Sequence, residues 1–231
     1  MSNNSNILKQ VRESYRFLFE YQTRMLNLMS YIEKRFALTY SGGHSKFSNP
    51  APKNGKGSLD LWAWDWLNMY YYEFHFGFYN NQLTTISPQQ ISKDDDYYGF
   101  SVFLLSDDGY FQNHLDATTN VDRIKIESFK SVDESKTRLI FVASKNIWDI
   151  SCWQMPKSGH TPQSDFITKD LHGKPFGENQ VMVFKSFDLE HFFEEQNALH
   201  CLKEFERLCD LHSICFKVVD NQFETKAKNS F

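Results

Sequence analysis

Glu73 and His75 are the two residues whose types and spacing most directly suggest chemistry. They stand two apart in YYYEFHFGFY, a run that alternates as a β-strand does. Side chains two apart on a strand share a face, which places a carboxylate beside an imidazole. Such a pair can bind a divalent metal or transfer a proton. Asp65 has the same parity and joins this face if the strand extends that far back.

Two ligands do not complete a metal site, and polar residues on the outer face of a half-buried strand explain the pattern equally well. We therefore predict no catalytic residue and no metal ligand. The alternative is a metal-dependent hydrolase or nuclease that uses Glu73 and His75. Its third acid would be Asp65 or a residue of the polar segment 154–179.

Other residues that could carry chemistry lack the spacing that chemistry requires. Near the C-terminus the thiols and imidazoles form no Cys-x2–4-Cys or His-x3–5-His pair, so we predict core thiols and not a zinc site; these residues are His200, Cys201, Cys209, His212 and Cys215. A nuclease motif fails because Glu127 and Lys130 are three apart and would point to opposite faces of a strand. No nucleophile elbow and no dinucleotide fingerprint occurs, so no cofactor is expected.

A group of tryptophans near a lysine-bearing loop is the most suggestive surface. Trp62, Trp64 and Trp66 alternate, and the preceding loop, residues 41–57, carries basic side chains and no acid. Aromatic rings beside lysines can stack on a ligand, and Trp is enriched at interface hot spots. We predict a binding surface made of Trp62, Trp64, Trp66, His44, Lys46, Lys53 and Lys56. The competing interpretation is that the tryptophans fill the core.

Composition and charge narrow the function classes. The 22 Phe, 11 Tyr and 5 Trp make an aromatic-rich chain, and the formal net charge of −4 argues against a general nucleic-acid binder. No apolar run approaches the roughly 18 residues that span a bilayer. A polar N-terminus without a signal-like apolar region, and cysteines without disulfide-like spacing, predict a soluble cytoplasmic protein.

The first element that must support these surfaces is a helix from residue 5 to about residue 38. Its apolar stripe runs from Leu8 to Phe36 at alternating spacings of three and four, and we expect Gly42 and Gly43 to close it. The stripe predicts either a buried spine of the domain or the seam of a coiled-coil homodimer. Gln22 would be the polar residue inside that seam.

The remaining elements predict an α+β fold. We expect a mainly antiparallel sheet packed against the long N-terminal helix and a C-terminal helix, in a single domain of residues 1–231. The C-terminal helix would be N-capped by Asp188 and end near Leu211, and residues 41–57 and 154–179 would be loops. Residues 59–67 are expected to be helical or irregular, and the strands are expected at 69–79, 97–106, 123–129, 137–144, 147–153, 181–186 and 214–219.

The sequence as a whole favours a binding protein over an enzyme. We predict a non-enzymatic protein that binds another macromolecule, of the inhibitor, immunity-factor or complex-subunit type, with a protein as partner. A homodimer through the N-terminal helix is compatible with this function. Besides the hydrolase, the other alternative to a binding protein is a small-ligand or nucleotide sensor whose aromatic pocket is covered by residues 41–57.

Overall fold

The structure, a computed structural model, describes residues 2–46, 71–87, 90–91, 95–109, 129–147, 174–177 and 179–219. These residues belong to two compact units. One unit comprises residues 1–37 with the residues from Val219 onward, and the other comprises residues 38–218. The predicted strands 123–129 and 147–153 lie almost wholly outside the described residues, as does the Trp segment. No helix in the described ranges has the length and apolar character needed to cross a bilayer.

Helix α1 spans Ser2–Arg35 and confirms the long N-terminal helix. Its C-terminal half buries apolar side chains three and four residues apart, namely Met25, Met29, Ile32 and Phe36. The predicted closure by Gly42 and Gly43 is wrong. The helix ends earlier, where Ala37 adopts a left-handed φ of 51°. Within this unit, the Val219 N–H donates a hydrogen bond of 2.7 Å to the Arg35 carbonyl.

The second unit is built on an antiparallel sheet of seven strands. They are β1 (Gly42–Lys46), β2 (Tyr71–Tyr79), β3 (Thr85–Ile86), β4 (Tyr98–Leu105), β5 (Arg138–Lys145), β6 (Lys174–Gly177) and β7 (Gln180–Asp188). The order across the sheet is β1-β2-β4-β5-β7-β6, with β3 also paired to β2. All pairs are antiparallel, so the predicted α+β class with a mainly antiparallel sheet is confirmed.

Helix α2, Glu195–Leu211, packs on one face of this sheet. Its buried residues repeat at helical spacing, and the Phe205 ring lies 5.9 Å from Phe100 and 5.3 Å from Phe141. Phe216, beyond the helix, adds a ring 5.1 Å from Phe100. We call this side of the sheet the helix face. Edge-to-face aromatic contacts of this kind add to the free energy gained from burial alone.

The opposite side, which we call the Glu73 face, is buried as well. Its residues with 0% exposure are Glu73, His75, Ser101, Phe103, Leu105, Ile140, Val142, Ser144 and Phe184. The central strands are therefore buried on both faces, as their near-continuous apolar sequences indicate. The expectation that Glu73 and His75 lie on the outer face of a half-buried strand is wrong, because that face is covered.

A β-bulge in β2 changes the predicted alternation. The register with β4 shifts between His75 and Phe78, and Gly77 takes a φ of 94° there. A Cβ at Gly77 would lie 2.7 Å from the Ser41 hydroxyl oxygen, so the position needs glycine for both reasons. Phe78 consequently moves to the Glu73 face, where its ring centroid is 5.0 Å from that of His75.

Several predicted boundaries are wrong for local reasons. Part of each predicted loop forms an edge strand, β1 and β6, because backbone pairing to a neighbour overrides polar composition. Residues 214–219 form no strand. Asp188 does not cap α2 but precedes a 3-10 turn, Leu189–Phe192, and its carboxylate makes no capping hydrogen bond. Phe193, expected in the apolar stripe of this helix, is exposed.

Candidate functional site

Glu73 and His75 are joined through a third residue, Ser101. Strand β2 places the acid and the imidazole on the Glu73 face, and the register pairs His75 directly with Ser101 of β4. The Ser101 hydroxyl oxygen lies 2.8 Å from His75 Nδ1 and donates its proton to Glu73 Oε1 at 3.1 Å. We call these three residues the polar cluster.

The polar cluster is a chain of two hydrogen bonds. A serine hydroxyl has one proton to donate, and here the acceptor is Glu73. With that direction, the tautomer of His75 that donates from Nδ1 to the serine oxygen completes the chain. The chain runs from imidazole N–H to hydroxyl to carboxylate. It is the reverse of the arrangement in which a histidine accepts the proton of a nucleophilic serine.

Burial decides what the polar cluster can do as it stands. All three residues are completely covered, so no substrate reaches them in this conformation. Buried polar groups are costly unless they are hydrogen-bonded, and here the bonds connect two neighbouring strands. The geometry therefore supports a positioning role between β2 and β4. Sequence reasoning missed Ser101, although one hydroxyl residue inside the apolar run YGFSVFLL was a visible signal.

The metal hypothesis gains no further ligand from the described residues. Within those ranges, no group of three or more His, Cys, Asp or Glu side chains could hold an ion. Asp65 and most of the segment 154–179, which were to supply the third ligand, lie outside the described residues.

Of the cysteines near α2, Cys201 and Cys209 are buried and Cys215 is half-buried. Burial raises the pKa of Cys201 and of Cys215 to about 11, and burial also raises the pKa of Cys209 well above its ordinary value. A thiol with a raised pKa stays protonated at neutral pH, whereas nucleophilic attack and zinc binding both need the thiolate. All three are free of disulfide bonds, which agrees with their interpretation as core residues.

An ion-pair network was not foreseen from the sequence. Arg138 at the start of β5 donates to Asp108 at 2.6 Å and to Asp188 at 3.0 Å, and Lys136 also pairs with Asp188. Asp108 is fully buried and further accepts the Lys136 backbone N–H at 2.7 Å. Asp188 is the residue that was expected to cap the C-terminal helix. The network instead ties the segment after β4 to the ends of β5 and β7.

The predicted binding surface is mostly outside the described part of the chain. This applies to Trp62, Trp64, Trp66, Lys53 and Lys56. His44 and Lys46 fall in β1, the outer strand of the sheet order, where their backbones pair with Glu73 and Tyr71. The structure therefore places only the first part of the predicted loop surface, at a sheet edge, and the surface itself stays a prediction.

Helix α1 presents a large apolar surface that continues its buried stripe. Ile7, Leu8, Val11, Tyr15, Leu18 and Phe19 are each between 41% and 75% exposed. At 100° per residue they fall within a sector about 120° wide. We call these six residues the exposed stripe. Large contiguous apolar areas are a common feature of protein interaction sites.

Two open hollows bear on the alternative of a small-ligand sensor. One, of about 340 Å³, is lined mainly by amide and acidic side chains that already serve the local turns; Asn80 Oδ1, for example, accepts the N–H groups of Gln82 and Thr84. The other, of about 580 Å³, lies between β7 and α2, and Lys185 within it pairs with Glu204 at 2.7 Å. These polar groups thus serve the fold, which does not favour either hollow as a ligand site.

A comparison with protein families gives a match over nearly the whole chain. The family model PM0109 matches residues 2–214. The chain belongs to the PM0109 family. The matched region of this PM0109 family member contains every helix and strand described above, including the exposed stripe and the polar cluster. No curated protein and no solved structure matches the chain.

Proposed function

We propose that the protein is a cytoplasmic, non-enzymatic binding protein whose partner is another protein, of the inhibitor, immunity-factor or complex-subunit type. The exposed stripe of α1 is the observation that carries this proposal. Six large apolar side chains in one sector of a helix cost free energy in water, and docking against a partner removes that cost.

The chemistry of the described residues supports the same proposal. The polar cluster is covered, the thiols have raised pKa values, and the described acids and imidazoles gather at no ion-sized site. The free thiols agree with a reducing compartment.

Capture from a native lysate, followed by mass spectrometry, tests the proposal. Leu18→Glu places a charge in the exposed stripe and should lower recovery of co-purifying protein at least ten-fold. Phe17→Glu is the matched control, since Phe17 is also exposed, at 69% against 41% for Leu18, but lies off the stripe. Equal recovery with both variants, or a wild-type chain that is monomeric and recovers no other protein, would contradict the role of this surface.

The predicted Trp and Lys surface is tested separately in the same assay. The double variant Trp64→Ala/Lys56→Ala should weaken partner binding while leaving the melting temperature unchanged, because binding surfaces contribute little to folding. Lys9→Ala, an exposed lysine on the polar side of α1, serves as the control. Unchanged affinity in the double variant would remove these residues from the proposal.

The second candidate is a metal-dependent hydrolase or nuclease. It is favoured by the hydrogen bonds that connect Glu73 to His75 through Ser101. Elemental analysis of the purified protein distinguishes the two functions. A stoichiometric metal that is lost in Glu73→Gln/His75→Ala would support the enzyme. A metal-free preparation that keeps its partner would support the binding protein.

A further inference from the structure

We infer that the exposed stripe of α1 docks against the same stripe of a second copy of this chain, and that the two helices run antiparallel. The inference rests on the proposed function, because it names the partner of the surface that carries that function. Its grounds are the area of the stripe, its position along the helix and the charges beside it.

The area of the exposed stripe is that of a stable interface. The exposed fractions of its six residues together equal between three and four fully exposed large side chains. With about 200 Å² for each such side chain, the stripe offers roughly 700 Å² per copy. A standard protein–protein interface buries about 800 Å² per partner. Two copies of this stripe are therefore large enough to hold each other without other contacts.

The position of the stripe selects the antiparallel orientation. The apolar pattern runs the whole length of α1, but Met25, Met29, Ile32 and Phe36 are already covered within the chain. In a parallel pair, these covered side chains would have to face each other along the same seam, although they have no exposed surface to add to it. In an antiparallel pair centred near residue 13, the exposed stripes of the two helices contact each other. The buried C-terminal halves of the two helices then lie at opposite ends of the pair.

The spacing of the stripe fits an antiparallel seam. With residue 13 at the centre, Leu8 lies level with Leu18 of the second copy, and Val11 lies level with Tyr15 of the second copy. Both are pairings of an a position with a d position of the heptad, as an antiparallel seam requires. Ile7 and Phe19 flank the seam. Arg12 lies at the edge of the seam, close to Arg12 of the second copy. Salt screens the repulsion between these two charges.

The charges beside the stripe favour a protein surface over a lipid surface. Helices that bind membranes carry an excess of Lys and Arg on the polar face. Here the polar face mixes both signs within the same turns, and Lys9 even pairs with Glu13 at 3.6 Å. Glu13 and Glu20 lie on the side of the helix opposite the stripe, where their negative charge weakens the attraction of the helix to anionic lipid.

Sedimentation equilibrium of the purified full chain measures the inferred dimer. The wild-type protein should be a dimer at micromolar concentration. Leu18→Glu should weaken it by about 100-fold or more, because each dimer would bury two unpaired charges. Phe17→Glu should dimerise as the wild type does, and circular dichroism should show both variants folded. A wild-type chain that stays monomeric at about 100 µM overturns the inference, as does an equal effect of the two variants.

Cysteine cross-linking tests the orientation. In the antiparallel pair, two copies of Leu8→Cys lie about 15 Å apart along the axis, as do two copies of Leu18→Cys. Oxidation should cross-link an equimolar mixture of the two variants but neither variant alone, above the background of the wild-type thiols. Cross-linking of each variant alone would indicate a parallel pair and overturn the inferred geometry.

Two outcomes separate this inference from the proposed function. If the purified chain is monomeric and Leu18→Glu still lowers the recovery of a different protein in the lysate assay, the homodimer is wrong and the binding function stands. If the purified chain is monomeric and its stripe binds vesicles of anionic phospholipid, the protein partner itself is wrong.

Discussion

Ser101 shows how much one hydroxyl group can determine at the scale of a residue. Glu73 and His75 lie on the same strand, but the described hydrogen bonds connect them through Ser101 on the neighbouring strand. Without that hydroxyl, a carboxylate oxygen and an imidazole nitrogen would each lose a bond in a fully covered site. The desolvation cost of such a loss is larger than the net gain from an average hydrogen bond.

We therefore expect Ser101→Ala to lower the free energy of unfolding by about 1–3 kcal/mol, measured by urea denaturation. The matched control is Ser144→Ala. Ser144 is also fully buried on a central strand, but its hydroxyl has no hydrogen-bond partner among the described residues. Its replacement should be neutral or slightly stabilising. Equal losses in the two variants would show that the polar cluster does not hold β2 to β4.

At the scale of elements, the ion-pair network around Arg138 connects the start of β5 to the end of β7 and to the turn after β4. Arg138 is 19% exposed and bridges Asp108, which is fully buried, to Asp188 at the end of β7. Charges removed from water are stable only while they are paired. The turn after β4 and the last residue of β7 are thus held to the start of β5 by charge as well as by backbone pairing.

Arg138→Met should lower the free energy of unfolding by about 3 kcal/mol or more, since it removes the guanidinium that pairs with the buried Asp108 carboxylate. Lys136→Met removes the other cation of the network, which is 52% exposed, and should cost less than about 1 kcal/mol. Thermal and chemical unfolding of the two variants measures the difference. A small loss in Arg138→Met would mean that the network adds little to stability.

The acid stability of the whole molecule depends in part on Asp96. Its carboxylate accepts hydrogen bonds from Lys145 at 2.8 Å and from the side chains of Asn146 and Asn179. The bond from the Lys145 ammonium is the main cause that lowers the pKa of Asp96 below its ordinary value of 3.8. Protonation is therefore harder in the folded chain than in the unfolded one. The resulting stability is present above about pH 4 and is lost as the pH falls through the folded pKa.

We accordingly expect Asp96→Asn to flatten the fall in unfolding free energy between about pH 5 and pH 2, because the variant no longer takes up a proton at this position. Urea denaturation at several pH values gives the slope. Asp95→Asn removes an exposed neighbouring carboxylate and is the matched control. Identical slopes in Asp96→Asn and wild type would contradict a lowered pKa at Asp96.

The described fold could be predicted where hydrophobic periodicity is strong. Helix α1, the central strands and α2 each carry a pattern that local sequence alone expresses. The edge strands β1 and β6 could not be found in this way, because their residues are polar and they become strands by pairing with a neighbour. The bulge at Gly77 could not be predicted from local sequence either. Phe78 changes face because of a register shift that alternation by itself does not reveal.

The sequence by itself determined the α+β class, the long helix with its apolar stripe and the shared face of Glu73 and His75, since all three follow from the spacing of side chains along the chain. The tertiary structure alone decided that this face is covered, that Ser101 joins the pair and that Arg138 links Asp108 to Asp188. It also decided which half of the α1 stripe is covered. The physical reason is that burial, strand register and ion pairing depend on residues far apart in sequence, whose meeting no local pattern records.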